Sequence, residues 1–149
     1  MELWELLARE EIRDLVARYA QHADGGRFDE LVALFAPDGT LRVDEREPLC
    51  GRDAIRAFLG STRASLRDAP TPRAIRHHVT TLRIEVTAPD AAAGAAYFLV
   101  VTDRLDHWGR YRDRYVRQDD GWLFAERRVR VDGYAPDSWA ATRRRQLAD

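Results

Sequence analysis

A carboxylate and an imidazole carry the first chemical signal in this chain. Asp24 stands at the break Ala23-Asp24-Gly25-Gly26, where an apolar-striped segment ends. His77 opens the run His77-His78-Val79-Thr80-Thr81-Leu82-Arg83-Ile84-Glu85-Val86. If folding brings the two together, the carboxylate holds the imidazole in one tautomer and stabilises the imidazolium that forms when it takes a proton. An unperturbed imidazole titrates near pH ~6.5, and a carboxylate neighbour raises its basicity. Such a pair removes a proton from a small organic molecule without a metal or cofactor. Each residue also has a plainer reading: Asp24 as a turn residue at a helix end, His77 as a structural or exposed strand histidine. The His77-His78 doublet does not hold one metal ion as a pair, because adjacent strand residues point to opposite faces.

The elements that must position these residues follow from hydrophobic period. From Glu2 to Ala23, the residues Leu3, Leu7, Ile12, Leu15, Val16, Tyr19, Ala20 and Ala23 recur at helical spacing. The Asp24-Gly25-Gly26 break ends that helix. A short helix is expected over Phe28 to Phe35, then a turn at Ala36-Pro37-Asp38-Gly39 and an alternating strand over Thr40 to Glu45. A third helix runs from Arg52 to about Leu66, closed by Pro70 and Pro72. The period then changes to two. Four strands are expected: His77 to Val86, Ala95 to Leu105, Arg110 to Arg117 and Trp122 to Val131. Turns separate them at Ala88-Pro89-Asp90, His107-Trp108-Gly109 and Asp119-Asp120-Gly121. From about residue 136 the chain reads as a short, exposed, arginine-rich helix. Helices followed by adjacent strands give an α+β domain, with the helices on one face of a mostly antiparallel sheet. A strongly curved sheet would make this a cone with a pocket inside.

Composition narrows the chemistry. A chain of 149 residues, 45% hydrophobic and 33% charged, suits one soluble domain over its whole length. A net charge of -1 gives no global attraction to nucleic acid or an anionic membrane. No apolar run approaches the ~20 residues of a membrane span, and the acidic start at Glu2 and Glu5 points to the cytoplasm. Cys50 is the only cysteine, so neither an internal disulfide nor a thiolate zinc cluster forms. All 24 basic residues are arginine. A lysine Schiff base, pyridoxal phosphate attachment and a phosphate-loop lysine are therefore excluded.

The order of motifs resembles the SnoaL-like branch of the nuclear transport factor two-like superfamily, over nearly the whole chain to about Tyr134. The resemblance rests on Ile12-Arg13-Asp14-Leu15 through Arg18-Tyr19, Asp24, Phe28-Asp29-Glu30-Leu31 and Leu34-Phe35-Ala36-Pro37-Asp38-Gly39. It continues through Gly51-Arg52-Asp53-Ala54-Ile55, His77-His78-Val79-Thr80, Gly109-Arg110-Tyr111-Arg112-Asp113 and Asp120-Gly121-Trp122-Leu123-Phe124-Ala125-Glu126-Arg127. Characterised members of that branch include scytalone dehydratase, a hexachlorocyclohexane dehydrochlorinase, a bile-acid dehydratase and polyketide cyclases. Most need no cofactor and many use an Asp-His pair. The resemblance places that pair on Asp24 and His77, the latter favoured over His78 because the family histidine stands four residues before a small or amide residue, here Thr81. It also implies pocket roles for Tyr19, Arg127 and Tyr111. It implies a cone-shaped α+β barrel and a homodimer through the outer sheet face, with Trp108, Trp122 and Trp139 as contributors. The chain departs from scytalone dehydratase at two positions, where Glu45 and Ala23 replace tyrosines, which argues against that substrate.

Strand alternation groups the same residues. His77, Val79 and Thr81 share one face; so do Gly109, Tyr111, Asp113 and Tyr115, and so do Leu123, Ala125, Arg127, Val129 and Val131. Tyr19 reads as a hydrogen-bond donor or as core packing. Arg127 reads as a holder of developing negative charge, although only some arginines of Arg127-Arg128-Val129-Arg130 can face inward. Glu45 is a second acid or base if its strand faces the pocket and a solvated charge if it is an edge. Asp113 is a pocket carboxylate or a partner for Arg127. Arg143-Arg144-Arg145 reads as a solvated helix face. The expected function is a cofactor-independent lyase, isomerase or cyclase acting on a small, largely apolar molecule, with Asp24, His77, Tyr19 and Arg127 in catalysis and Tyr111, Glu45 and Asp113 contacting substrate. The alternatives are a non-catalytic binding module and an assembly subunit like the small subunit of ring-hydroxylating dioxygenases.

Overall fold

The computed structural model describes residues 1–69, 74–119 and 121–149. Pro70 and Pro72, expected to close the third helix, and Asp120 of the last expected turn lie outside the described residues. The elements are α1 (Leu3–Gly25), α2 (Phe28–Val32), β1 (Phe35–Val43), β2 (Leu49–Cys50), α3 (Arg52–Arg67), β3 (Arg76–Ala88), β4 (Ala91–Val101), β5 (Leu105–Gln118), β6 (Gly121–Tyr134) and α4 (Trp139–Ala148).

The first helix buries Ala8, Ile12, Leu15, Val16, Tyr19 and Ala20, one face at spacings of three and four. Leu3 and Leu7, expected on that face, lie in overhanging first turns and are exposed. Gly26 ends the helix with φ at 69°, a left-handed position that glycine adopts without steric cost. Its N–H donates to Ala23 and that of Arg27 to His22, a Schellman stop that fixes the chain direction just after Asp24.

The strands form one sheet in the order β2-β1-β6-β5-β4-β3. Every pairing is antiparallel except β1 with β6, which is parallel. With β2 and β3 at its edges the sheet is curved but unclosed. Bulges supply the curvature, since an extra residue on one strand bends and twists it. They lie between Phe35 and Thr40 of β1, Thr80 and Arg83 of β3, Trp108 and Gly109 of β5, and Arg114 and Tyr115 of β5. The expected Ala36–Gly39 turn is the first of these, an irregular stretch inside β1. The expected His107-Trp108-Gly109 turn is another: these residues lie within β5, and the chain reverses instead at Thr102–Arg104. Gly109 marks a close approach of backbones, because a Cβ there would sit 2.0 Å from the carbonyl oxygen of Arg130. The short α2 stops at Val32, and Phe35 already belongs to β1.

Bulges also reset strand parity. Thr81 takes φ 54° and is exposed, so Leu82 and Ile84 turn inward instead. On β6, Phe124 and Arg127 are both fully buried, because Ala125 is the extra residue between them. The expected inward placement of Thr81, Leu123 and Ala125 is therefore corrected by one bulge on each strand.

Helices α1 to α3 cover the concave face. One core cluster unites Ile12, Leu15, Leu31, Phe35, Ile55, Ile84, Trp122 and Phe124; a second holds Leu66, Ile75, Phe98, Val100 and Tyr111. Trp122 is thus core, and Trp139 packs against the second cluster. Trp108 is partly exposed. Among the described residues, no helix is long and apolar enough to cross a membrane.

Candidate active site

The cavity between α3, α4 and the upper sheet has a volume of about 200 Å³. That suffices for a molecule of one or two rings, since a dry cavity of ~150 Å³ already accepts benzene. Its walls are mainly apolar, from Phe58, Leu59, Leu66, Phe98, Val129 and Val131. Polar groups stand against them, among them Tyr19, Tyr111, His77 and His107, with Asp44, Thr62, Tyr134 and four arginines also in the lining. A small number of convergent polar groups in an apolar cleft is the usual make-up of a small-molecule site.

Asp24 lies in the last turn of α1, against the first residues of β3. Its Oδ1 is 2.7 Å from His77 Nδ1. The backbone N–H of His77 also donates to Oδ1 at 3.1 Å and to Oδ2 at 3.2 Å. A carboxylate at a helix C-terminus faces the negative end of the helix dipole; these donors offset that cost. With Nδ1 engaged, Nε2 is the nitrogen left for chemistry. The neighbouring His78 is exposed on the opposite face.

Tyr19 and Tyr111 line the cavity from α1 and β5. Burial raises the pKa of both phenols well above the usual tyrosine value, and Arg127 only partly opposes it. Both therefore face the cavity as neutral hydroxyls. Phe98 stacks on Tyr111, with ring centroids 4.6 Å apart.

Arg127 is not a cavity-wall residue. Its side chain is wholly buried beneath the two tyrosines, with the guanidinium carbon 4.2 Å from the Tyr19 ring centre and 4.0 Å from that of Tyr111. Its Nε and Nη2 each donate to Asp113 at 2.9 Å, a bidentate pair, and Tyr115 Oη donates to Asp113 at 2.9 Å. Burial alone would lower the guanidinium pKa, but Asp113 raises it above the ordinary value and keeps Arg127 charged. Asp113, expected at the substrate, is fully buried as this counter-ion. The guanidinium lies against the faces of both tyrosine rings. Glu45, also expected at the substrate, is exposed on the outer side and pairs with Arg130 at 3.5 Å. Its residue lies in a turn just past β1, outside the cavity lining.

Two parts of the lining escaped the sequence reading. The sequence around His107 reads as a turn, yet the residue lines the cavity from β5 with Nδ1 2.8 Å from Asp106 Oδ2. Extending the period-two pattern back from Tyr111 through Gly109 would have reached it. Arg143 and Arg144 of α4, read as a solvated face, stand at the cavity mouth with Arg46 and Arg63. Arg143 is half-buried; burial first and then the charge of Arg46 lower its pKa below the ordinary arginine value.

Residues 4–128 match the SnoaL-like domain. A protein from Catenulispora acidiphila, solved in complex with S-DNPA, is 30% identical, covering 95% of this chain and 97% of its own, with a TM-score of 0.72. A nuclear transport factor two-like protein with a cystatin-like fold from Novosphingobium aromaticivorans is 28% identical, over 87% of this chain and 86% of its own, with a TM-score of 0.75. A candidate scytalone dehydratase from the same organism shares the fold at 23% identity, covering 93% of this chain and 95% of its own, with a TM-score of 0.77. A search of curated proteins finds no match.

Proposed function

This chain belongs to the SnoaL-like family, and we propose that it is a cofactor-independent lyase, isomerase or cyclase that begins its reaction by proton abstraction from a small, largely apolar molecule. The observation that carries this reading is the His77 imidazole, fixed by the Asp24 carboxylate at 2.7 Å in the wall of an apolar cavity. His77 takes the proton from a carbon beside a carbonyl or leaving group. Asp24 stabilises the imidazolium that results. Tyr19 and Tyr111, neutral because of their burial, donate hydrogen bonds to the oxygen on which negative charge develops. Arg127 adds positive potential from beneath their rings without touching the substrate. Elimination of water, ring closure and double-bond migration all begin with this step. A 30% identical relative bound to S-DNPA supports a small-molecule site. A homodimer through the outer sheet face, where Tyr97 and Trp108 are exposed, belongs to the same reading.

The test uses 5-nitrobenzisoxazole, a flat apolar probe whose ring opens when a base removes its one acidic C–H. The protein is expected to accelerate the opening, and His77→Ala to remove about 100-fold or more of that acceleration while probe affinity stays within a few-fold. Acceleration that survives His77→Ala would overturn the mechanism. Binding without any acceleration would instead mark a binding module.

A further inference from the structure

Asp106 and His107 form a second carboxylate–imidazole pair, and its imidazole lines the same cavity. We propose that His107 is a second catalytic residue, the proton donor that works opposite His77. This proposal rests on the reading of His77 as the base.

The sheet register sets the geometry. His77 of β3 lies opposite Val100 of β4, and Val100 lies opposite His107 of β5. Residues directly opposite in neighbouring strands share a face. The two histidines therefore stand in one row on the concave side, two strands apart, with fully buried Val100 between them. Neighbouring strands are about 4.8 Å apart, so the two backbones are separated by roughly 10 Å. A ring-sized molecule fits between the imidazoles, each reaching a different atom of it.

Asp106 is held firmly enough to orient its partner. It is buried and accepts hydrogen bonds from Ser138 Oγ at 2.8 Å, the Trp139 N–H at 2.8 Å and the Ala140 N–H at 3.3 Å, as well as facing His107. The same carboxylate thus anchors the start of α4 and fixes the His107 ring. His107 packs edge-on against Phe98, with centroids 6.0 Å apart. An aromatic hydrocarbon would fill that space equally well. An imidazole with Nδ1 committed to a buried carboxylate instead presents Nε2 to the cavity, as His77 does.

The step balances. His77 Nε2 takes the proton from carbon, and the C–H electron pair becomes a C=C bond as the carbonyl π pair moves to oxygen. His107 enters this step as the imidazolium, with Nδ1–H held by Asp106, and its Nε2–H gives its proton to that oxygen, so a neutral enol forms instead of an enolate. His77 ends protonated and His107 neutral; exchange with water at the open mouth restores both. Where the oxygen is a hydroxyl leaving group, the same proton lets it depart as water.

Two probes separate the roles. The ring opening of 5-nitrobenzisoxazole expels a stable phenolate and needs a base alone, whereas unsubstituted 1,2-benzisoxazole expels a poorer leaving group and gains from an acid. His107→Asn and His107→Gln are each expected to slow the unsubstituted probe about 100-fold, the low end of general-acid catalysis, and the nitro probe only a few-fold. The retained nitro reaction shows that the variants fold and keep the His77 base. Equal slowing of the two probes, or none, would overturn the proposal for His107 alone. A native protein that opens neither probe overturns the His77 reading and this proposal together.

Discussion

Asp24 grips His77 at both ends of the residue, with its carboxylate against the ring nitrogen Nδ1 and against the backbone N–H of the same histidine. One contact sets the orientation of the imidazole; the other ties the end of α1 to the start of β3. The second contact accounts for why a carboxylate is kept at a helix C-terminus, where the dipole disfavours it. Asparagine at position 24 would keep the backbone contact through its carbonyl oxygen. Its amide could also donate to Nδ1, which would place the ring proton on Nε2. Asp24→Asn is therefore expected to fold with stability near the native value and to lose about 100-fold or more of the probe reaction. Chemical denaturation beside probe kinetics checks both halves.

The buried Arg127–Asp113 pair predicts an asymmetric response. Arg127→Met strands a carboxylate in the core and should cost about 3–5 kcal/mol, whereas Arg127→Met combined with Asp113→Leu should cost less than the single change. Urea unfolding of the two variants decides the matter. A double variant as unstable as the single one would show that the cost lies in lost packing on Tyr19 and Tyr111.

Acid should loosen α4 before the rest of the fold. Burial by itself would raise the Asp106 pKa, but hydrogen bonds from His107, Ser138 and the Trp139 and Ala140 N–H groups outweigh it and hold the carboxyl below the ordinary aspartate value. A depressed folded pKa gives stability that is present above the unfolded value and is lost as pH falls through the folded one. Hydrogen exchange over residues 139–148 is expected to speed up on acidification below that range, and Asp106→Asn should exchange fast at neutral pH as well. Uniform exchange across the chain under acid would contradict this.

Alkali acts with the opposite sign. Burial raises the pKa of Tyr19, Tyr111 and Tyr115, with Arg127 opposing it at each. A raised folded pKa gives stability that is full below the unfolded tyrosine value near 10.0 and is lost as pH climbs toward the folded one. Tyrosinate absorbance from these three rings should therefore appear together with loss of circular dichroism. A gradual rise in absorbance with the fold intact would mean that the rings are reached by water.

The four arginines at the mouth favour a ligand with an anionic end. Burial and the nearby charge of Arg46 leave Arg143 in need of a counter-charge, and the apolar interior takes the rest of the molecule. Naphthylacetate is expected to bind at least about 5-fold more tightly than naphthylacetamide, with the gap shrinking at high salt as screening sets in. Equal affinity in calorimetry would remove the arginines from recognition.

The sequence by itself determined the order of elements and the two partners of the first dyad. The apolar period of α1 and its glycine stop placed Asp24 at a helix end, and the strand pattern set His77 and His78 on opposite faces, between which the family resemblance chose His77. Both signals are local and set by backbone geometry. The fate of Glu45, Arg127 and Asp113 was decided only by tertiary structure. Arg127 turns inward with Phe124 because Ala125 is an extra residue on β6, Asp113 meets it only through the β5–β6 pairing, and Glu45 falls in the turn past β1. His107 shows the same limit. Its neighbours Trp108 and Gly109 read as a turn, whereas Gly109 serves to let β5 and β6 approach closely. Pairing across three strands then put His107 in line with His77, a relation between residues thirty positions apart that no local pattern encodes.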